Sequence, residues 1–455
     1  MEITKNILMR GGKSPLVKTS YEEALQKNLL GTNSGNLLFA DAVFKTLSLE
    51  NTDIHMNGYS ANPRAAKDIN EKYDVFVLPF ANAFRKSFIP ILNKFTLLIS
   101  QLEIPVVVTG IGAQANTDYA SQNLDDMSEA VKLFCKKVLQ RSASIGVRGE
   151  FTKKYLLSLG FADNEIDIIG CPSMFYYGET FPEINKPDKL NVDDPISMNI
   201  SPYVPGIEEI FNKNFFRYTN IDYVAQNNES LDQILFMGKS LPKPGRVFPK
   251  DINHPLFYNN QVRFFIDSRT WLNHLENKRF VFGTRIHGNI AALLAGTPAF
   301  LLAHDSRTLE LAEYFDIPHA DYAEIGDNHL AEDFFERADY TKLIAGHFER
   351  FEQWVKFLNK NELEHIYLPG KDNGDLFNSK LESVDFAPII DSFQHQSSSE
   401  ILERLVERSF HDSKKNSRRI DKLAKRTAAL ELEISNLKKQ KPERFLKSFF
   451  SRSSK

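Results

Sequence analysis

Short apolar runs alternate with stretches of helical spacing along the first 180 residues. The runs at 73–78 (YDVFVL), 105–109 (PVVVT), 144–147 (SIGV) and 166–169 (IDII) are rich in Val and Ile and are bounded by turn residues. That pattern predicts short buried strands. Between them, 91–102, 128–140 and 151–159 space their apolar residues as helices do, and Gly160 follows the last as a C-cap. Strands alternating with helices predict a parallel sheet covered on both faces. A second pattern of the same kind opens near Pro195 with 196–200 and then breaks off. Residues 201–261, rich in Asn, Pro and aromatics, read as irregular, with 204–260 as loops over a cleft. The pattern resumes with a strand at 279–282, a helix at 289–295, a strand at 299–302 and a helix at 308–315. The expected fold class is α/β, with two Rossmann-like domains facing a cleft. Their bounds are 1–190 and 191–387, followed by a tail at 388–455.

Composition changes after Ala387. Residues 391–400 (DSFQHQSSSE) read as a linker. Ile420, Leu423, Leu430, Ile434 and Leu437 then follow steps of three and four, with Thr427 interrupting. This is a heptad seam of under three heptads, and it fits a short coiled coil between chains or a helix packed on the body. The end, 441–455, sets Phe445, Leu446, Phe449 and Phe450 among Lys and Arg. That composition suits a basic amphipathic segment on a membrane surface, or a solvated tail.

Charge sharpens the contrast. Residues 411–455 carry 14 Lys and Arg against five Asp and Glu, a net of +9, which leaves −12 for the rest. The tail is suited to an anionic partner. The body has no basic stripe of the kind that nucleic acid requires. Apolar residues are 42% and charged residues 25%, the balance of a globular protein. Cys135 and Cys171 are too few for a disulfide framework and fit a reducing cytoplasm. The first 15 residues include Glu2 and no long apolar core, so no signal peptide is expected. The longest uncharged stretch, 288–303, has 16 residues and is broken by Gly296 and Pro298. A spanning helix needs ~20 apolar residues. The expected location is cytoplasmic, with peripheral contact at the inner membrane face through the tail.

The strongest candidate chemistry lies between 279 and 315. The strand at 279–282 runs into Gly283, Thr284, Arg285, Ile286, His287 and Gly288, and a helix follows. Open α/β sheets bind ligands at the carboxyl ends of their strands. A helix N-terminus there offers free N–H groups and about half a positive charge. Arg285 brings a fork for carboxylate or phosphate, and His287 brings a group that exchanges protons near neutral pH. The next strand delivers His304, Asp305 and Arg307 at its carboxyl end. Arg148 follows the strand at 144–147 and holds the equivalent place in the first half. A backbone-bound His and surface-paired arginines are the plain alternative. Gly31–Asn36 (GTNSGN) precedes a helix at 37–47, and Asn33, Gly35 and Asn36 could cradle a polar ligand or form an ordinary capped turn. Gly110, Gly112 and Ala115 partly match a dinucleotide fingerprint, but no helix opens after them, so a tight turn at the cleft is the reading. Gly238, Lys239 and Ser240 suggest a phosphate loop, but its first Gly would stand at Gln233. No cluster of His, Cys or carboxylates has metal-ligand spacing, and no cofactor is called for.

The segment 283–318, GTRIHGNIAALLAGTPAFLLAHDSRTLELAEYFDIP, resembles the polysaccharide pyruvyl transferase family. So do GTNSGN, the strand ending in GIGAQ, IGVRGEFTKKYLLSLG and IIGCPSMF, in that order, over about residues 30 to 325. The resemblance implies a fold similar to B-type glycosyltransferases. It also implies transfer of the enolpyruvyl group of phosphoenolpyruvate onto two hydroxyls of a sugar, giving a pyruvate ketal. The acceptor would be a sugar, free or on a lipid carrier. Arg148, Arg285 and His287 match the family's phosphoenolpyruvate-binding and catalytic positions, with His287 as general acid/base. Asp305 would orient His287 or an acceptor hydroxyl. Two departures stand out. Residues 79–83 read PFANA where the family often has a Gly-rich turn, and Cys171 stands where Asp is common. A B-type glycosyltransferase using a nucleotide sugar, and a non-catalytic envelope-assembly protein, are the rival readings.

Overall fold

The structure, a computed structural model, describes residues 4–119, 124–237, 247–251, 253–325 and 329–450. Gly238, Lys239 and Ser240 lie outside them. In the first half, β1 (Lys5–Met9) pairs with β2 (Thr52–Met56) and β3 (Val75–Pro79), and β3 pairs with β4 (Val106–Thr109), all parallel. β5 (Ile145–Val147) and β6 (Ile166–Ile168) form a parallel pair, joined to the end of β4 by the Ile111–Val147 bridge. The spatial order is β2-β1-β3-β4-β5-β6. The second sheet is parallel too. Its strands are β7 (Ile196–Asn199), β8 (Ile221–Ala225), β9 (Val262–Phe264), β10 (Phe280–Gly283), β11 (Ala299–Ala303) and β12 (His319–Asp321), in the order β12-β11-β10-β7-β8-β9. Both are doubly wound. Strand order reverses between β1 and β3 in one sheet and between β7 and β10 in the other, the places where such sheets open a crevice.

Strands covered on both faces have no polar side, and every residue of β3, β4, β10 and β11 is buried. Phe80, just past β3, sets the first core by edge contacts to Phe95 at 5.0 Å and Phe134 at 5.8 Å between centroids. After β12 the chain returns to the first half. Trp354, on the helix His347–Lys360, stacks on Phe175, and the Asn361 amide oxygen accepts from the N–H groups of Ala143 and Ser144 at 3.1 and 3.2 Å. The two sheets therefore share one compact unit, Met1–His395.

The stretch 201–261 is not irregular, contrary to expectation. It holds the helices Ile207–Arg217 and Asn228–Phe236 and the strand β8. Its pattern is masked because polar residues occupy buried positions. Asn214 sits on the buried helix face, donating to Ile210 O at 2.7 Å and accepting from Ala331 N at 2.7 Å. Asp222 lies inside β8, bonded to His274 and Lys278. Two strands of the first sheet also escape the pattern. β1 has three buried apolar residues, and the edge strand β2 has none fully buried.

Among the described residues the second unit, Gln396–Lys455, contains one helix, Ser398–Phe450. It begins inside the expected linker. Leu402, Val406 and Phe410 extend the exposed apolar positions N-terminal to Ile420 and Leu423. The side chains of Leu430, Ile434, Leu437, Phe445, Leu446, Phe449 and Phe450 lie outside the described ones, as do residues 451–455. Among the described residues no helix is long and apolar enough to cross a membrane.

Candidate functional site

The carboxyl ends of both sheets open into one cleft of about 600 Å³. Five guanidiniums line it: Arg10 after β1, Arg85 beyond β3, Arg148 after β5, Arg285 after β10 and Arg307 beyond β11. Among the described residues Glu229 is the carboxylate on its wall. Such an excess of fixed cations in a partly desolvated crevice selects an anion.

Arg285 is locked before any ligand arrives. Its N–H donates to the Asn199 side chain at 3.0 Å, its Nε donates to Ile200 O at 3.3 Å, and Nη2 is bonded to Asn227. Its plane lies 5.5 Å from the Tyr203 ring. Arg285 is also the N-cap of the helix Ile286–Leu294, whose first turn has no side-chain cap and faces the cleft. An orphan N–H cluster of this kind is a ready anion contact.

His287 is the second residue of that helix. Its ring stacks on Phe39 at 6.4 Å, and Nε2 lies 3.5 Å from the Sγ of buried Cys171. Gly35 fits against its other edge. A Cβ there would stand 2.9 Å from His287 Cβ and 3.0 Å from Nδ1, so glycine leaves Nδ1 uncovered. Burial, then Arg148, Arg285 and Arg307, pull the imidazole down to about 3, so it is neutral in the open cleft. Burial likewise raises Cys171, which stays a thiol.

Arg148 is 2% exposed and donates from Nε to Gly110 O at 3.1 Å. Gly112 makes room for it, since a Cβ there would stand 2.7 Å from Arg148 Cδ. Gly112 thus seats an arginine.

Asp305 does not orient His287. It caps the helix Ser306–Phe315 through Thr308 N at 3.1 Å and holds Arg307, whose Nε donates to it at 2.9 Å. Burial opposes that carboxylate, but Arg307 and His304 outweigh burial and hold it at about 2. His304 stands edge-on to Tyr203 at 5.9 Å and 3.6 Å from Asp305, and burial first brings it down to about 4.

The loop Gly31–Asn36 reaches the second half. Asn33 bridges to Asn227, and Ser34 N donates to Gln226 O at 2.9 Å. Asn36 spends its amide on Leu30 O and Gly31 O, so it braces the loop.

Sequence reasoning missed Arg10, Asn82, Arg85, Asn199, Tyr203, Asn227 and Glu310. Arg10 follows β1 directly and Arg85 follows β3 after a turn, so the rule that finds Arg148 reaches them only once β1 and that turn are known. Glu310 joins the halves. From the helix that carries Arg307 it accepts from Thr152 N at 2.7 Å and Thr152 Oγ1 at 2.9 Å. It thereby caps the helix Glu150–Ser158, whose own N-cap is Gly149. A Cβ on Gly149 would stand 2.6 Å from Glu310 Cγ.

Burial raises Glu310 from 4.5 to about 7 against the opposing Thr152 bonds. The folded chain therefore holds this proton more tightly than the unfolded chain. Stability from this group is lost as pH rises from about 4.5 to about 7. Glu310→Gln keeps the neutral hydrogen-bonding pattern and cannot ionise. The variant is expected to gain on the wild type across that window by about 3 kcal/mol. Melts of both proteins between about pH 4 and pH 8 check this, and a difference that stays constant with pH contradicts it.

A family model described as polysaccharide pyruvyl transferase matches residues 33–306, which include every expected site residue except Arg307. No curated protein sequence matches the chain. Among solved structures, the chain is similar to UDP-GlcNAc 2-epimerase from Methanocaldococcus jannaschii, with 14% identity and a TM-score of 0.38, covering 84% of this chain and 99% of that one. It is also similar to UDP-GlcNAc 2-epimerase from Neisseria meningitidis, with 10% identity and a TM-score of 0.37, over 84% and 100% of the two chains. For the glycosyltransferase SnogD from Streptomyces nogalater the values are 12% and 0.32, over 78% and 96%.

Proposed function

The chain belongs to the polysaccharide pyruvyl transferase family, and on that premise we propose that its cleft takes phosphoenolpyruvate as donor and forms a pyruvate ketal on a sugar. The observation that carries the reading is the set of Arg148, Arg285 and Arg307 around His287 at an uncapped helix N-terminus. Phosphoenolpyruvate brings a carboxylate and a phosphate on a three-carbon frame, and forked guanidiniums match both groups.

In this reading Arg148 and Arg285 clamp the donor, and Arg307 helps to stabilise the departing phosphate. Burial first, then the three arginines, keeps His287 neutral, and the donor's negative charge offsets the arginines, so its pKa rises on binding. His287 takes the proton of the first attacking hydroxyl and delivers it to the methylene carbon, which becomes the methyl group. The hydroxyl oxygen bonds to the central carbon, the carbon–oxygen bond to phosphate breaks, and the second hydroxyl closes the ketal. The second hydroxyl's proton leaves with phosphate, so protons and charge balance.

Calorimetric titration of phosphoenolpyruvate into wild type and Arg285→Ala tests the donor. Loss of a charged hydrogen-bond partner is expected to weaken binding ~10–100-fold. Absence of phosphoenolpyruvate binding, with tight UDP-sugar binding instead, would favour the nucleotide-sugar reading.

A further inference from the structure

The donor reading uses one crevice and leaves another. Thr284, Arg285, Ser201 and Tyr203 line the opening between β7 and β10. The equivalent opening in the first sheet, between β1 and β3, is walled by Arg10 and by the loop that carries Phe80, Asn82 and Arg85. Both openings face the same cleft.

Among the described residues these two arginines are held by rings and uncharged acceptors rather than by direct carboxylate pairs. The Arg10 guanidinium lies between the rings of Tyr59 and Phe80, at 4.8 and 4.7 Å, and Nη1 donates to Pro79 O at 2.9 Å. Arg85 lies 5.8 Å from the Phe88 ring. With its oxygen turned toward them, the Asn82 amide accepts from Arg85 Nη1 at 2.8 Å and from Arg307 Nη1 at 2.6 Å. The Nε groups of Arg10 and Arg85 are both buried without an acceptor. Among the described residues neither guanidinium has a carboxylate within 4.0 Å. By contrast, Arg307 is paired with Asp305.

The cations also divide into two groups. Burial first, then Arg148, Arg285 and Arg307, lowers His287, whereas Arg10 is lowered by burial and by Arg85, and Arg85 by burial and by Arg307. The first group matches a donor of at most three negative charges. The second, half-buried on the cleft wall, is surplus to it and favours a ligand that supplies a counter-charge.

We propose that the β1–β3 crevice, through Arg10, Asn82 and Arg85, is an oxyanion subsite for the acceptor, which therefore carries a negative group beside the sugar hydroxyls. The shared chemistry is a small oxyanion, supplied by the phosphate that joins a sugar to its carrier or by the carboxylate of a sugar acid. The assignment of this anion to the acceptor rests on the donor reading above.

The test uses the full chain saturated with phosphoenolpyruvate. Inorganic pyrophosphate and methyl glucuronoside are titrated in separate arms, with methyl glucoside as neutral control. One of the two anions is expected to bind the loaded protein, and the glucoside is not. Pyrophosphate binding identifies a phosphate source, and glucuronoside binding identifies a carboxylate source. Arg85→Ala should weaken that second event ~10–100-fold and shift phosphoenolpyruvate affinity far less. Arg85→Lys, which keeps the charge and loses the fork, should fall between them and guards against a folding defect in the alanine variant. Simple competition between anion and phosphoenolpyruvate, or binding of neither anion to the loaded protein, overturns the subsite and leaves the donor reading intact. If phosphoenolpyruvate does not bind but an Arg85-dependent anion does, the donor reading fails and the anion subsite stands.

Discussion

His287→Ala is expected to lose ~10²–10⁴ in turnover, the usual cost of removing a general acid/base. The reason is local. His287 lies on the cleft wall, where burial first and then Arg148, Arg285 and Arg307 pull its pKa down to about 3. In that site the ring starts neutral and can take the hydroxyl's proton, and the donor's charge, by offsetting the arginines, makes it a stronger base. Steady-state turnover and donor titration of both proteins check this. Donor affinity should survive in His287→Ala, because the clamp is arginine. Near-normal turnover in a folded variant removes His287 from the proton path.

Gly283→Ala is expected to cost about 3 kcal/mol or more and to abolish measurable donor binding. Gly283 ends β10 at φ +148°, where a side chain is strained. A Cβ there would stand 1.8 Å from Asn199 O, 2.6 Å from its carbonyl carbon and 2.9 Å from its nitrogen. These are backbone atoms of the paired strand β7, so relief requires the two strands to part. Asn199 would move with them. Its carbonyl accepts from Thr284 N at 2.8 Å, and its side chain accepts from Arg285 N at 3.0 Å. The substitution thus pulls apart the switch point that aims Arg285. Urea unfolding and donor titration check both effects. A variant within about 1 kcal/mol of wild type that binds donor normally contradicts this account of the junction.

Legibility in the sequence followed burial pattern and loop length. Arg285 and His287 stand between a four-residue apolar strand and an apolar helix, and the rule for strand carboxyl ends finds them directly. Arg148 follows β5 without a gap. Arg10 escaped because β1 shows only Ile7, Leu8 and Met9 as a buried run, too short to read as a strand. Arg85 stands six residues past β3, beyond a turn that sequence alone does not aim. Asn199 and Tyr203 border the region read as irregular, where buried Asn214 and Asp222 hide the helix and strand. Glu310 sits among charged residues on a helix, the pattern of a solvent face, yet it is 2% exposed because Thr152 of the other half meets it. The cap at Asp305 was legible: Asp followed three residues later by Thr308 is a capping pattern, and the cap and Arg307 hold the carboxylate that was expected to orient His287 or an acceptor hydroxyl.

Whether the cleft transfers a pyruvyl group is decided by phosphorus and carbon NMR on the full-length protein with carbon-labelled phosphoenolpyruvate and a panel of neutral and anionic sugars. The expected result is inorganic phosphate released only when an acceptor is present, with the labelled central carbon appearing as a ketal bonded to two sugar oxygens. Phosphoenolpyruvate left intact with every acceptor, while a UDP-sugar is consumed by the same preparation, would contradict it.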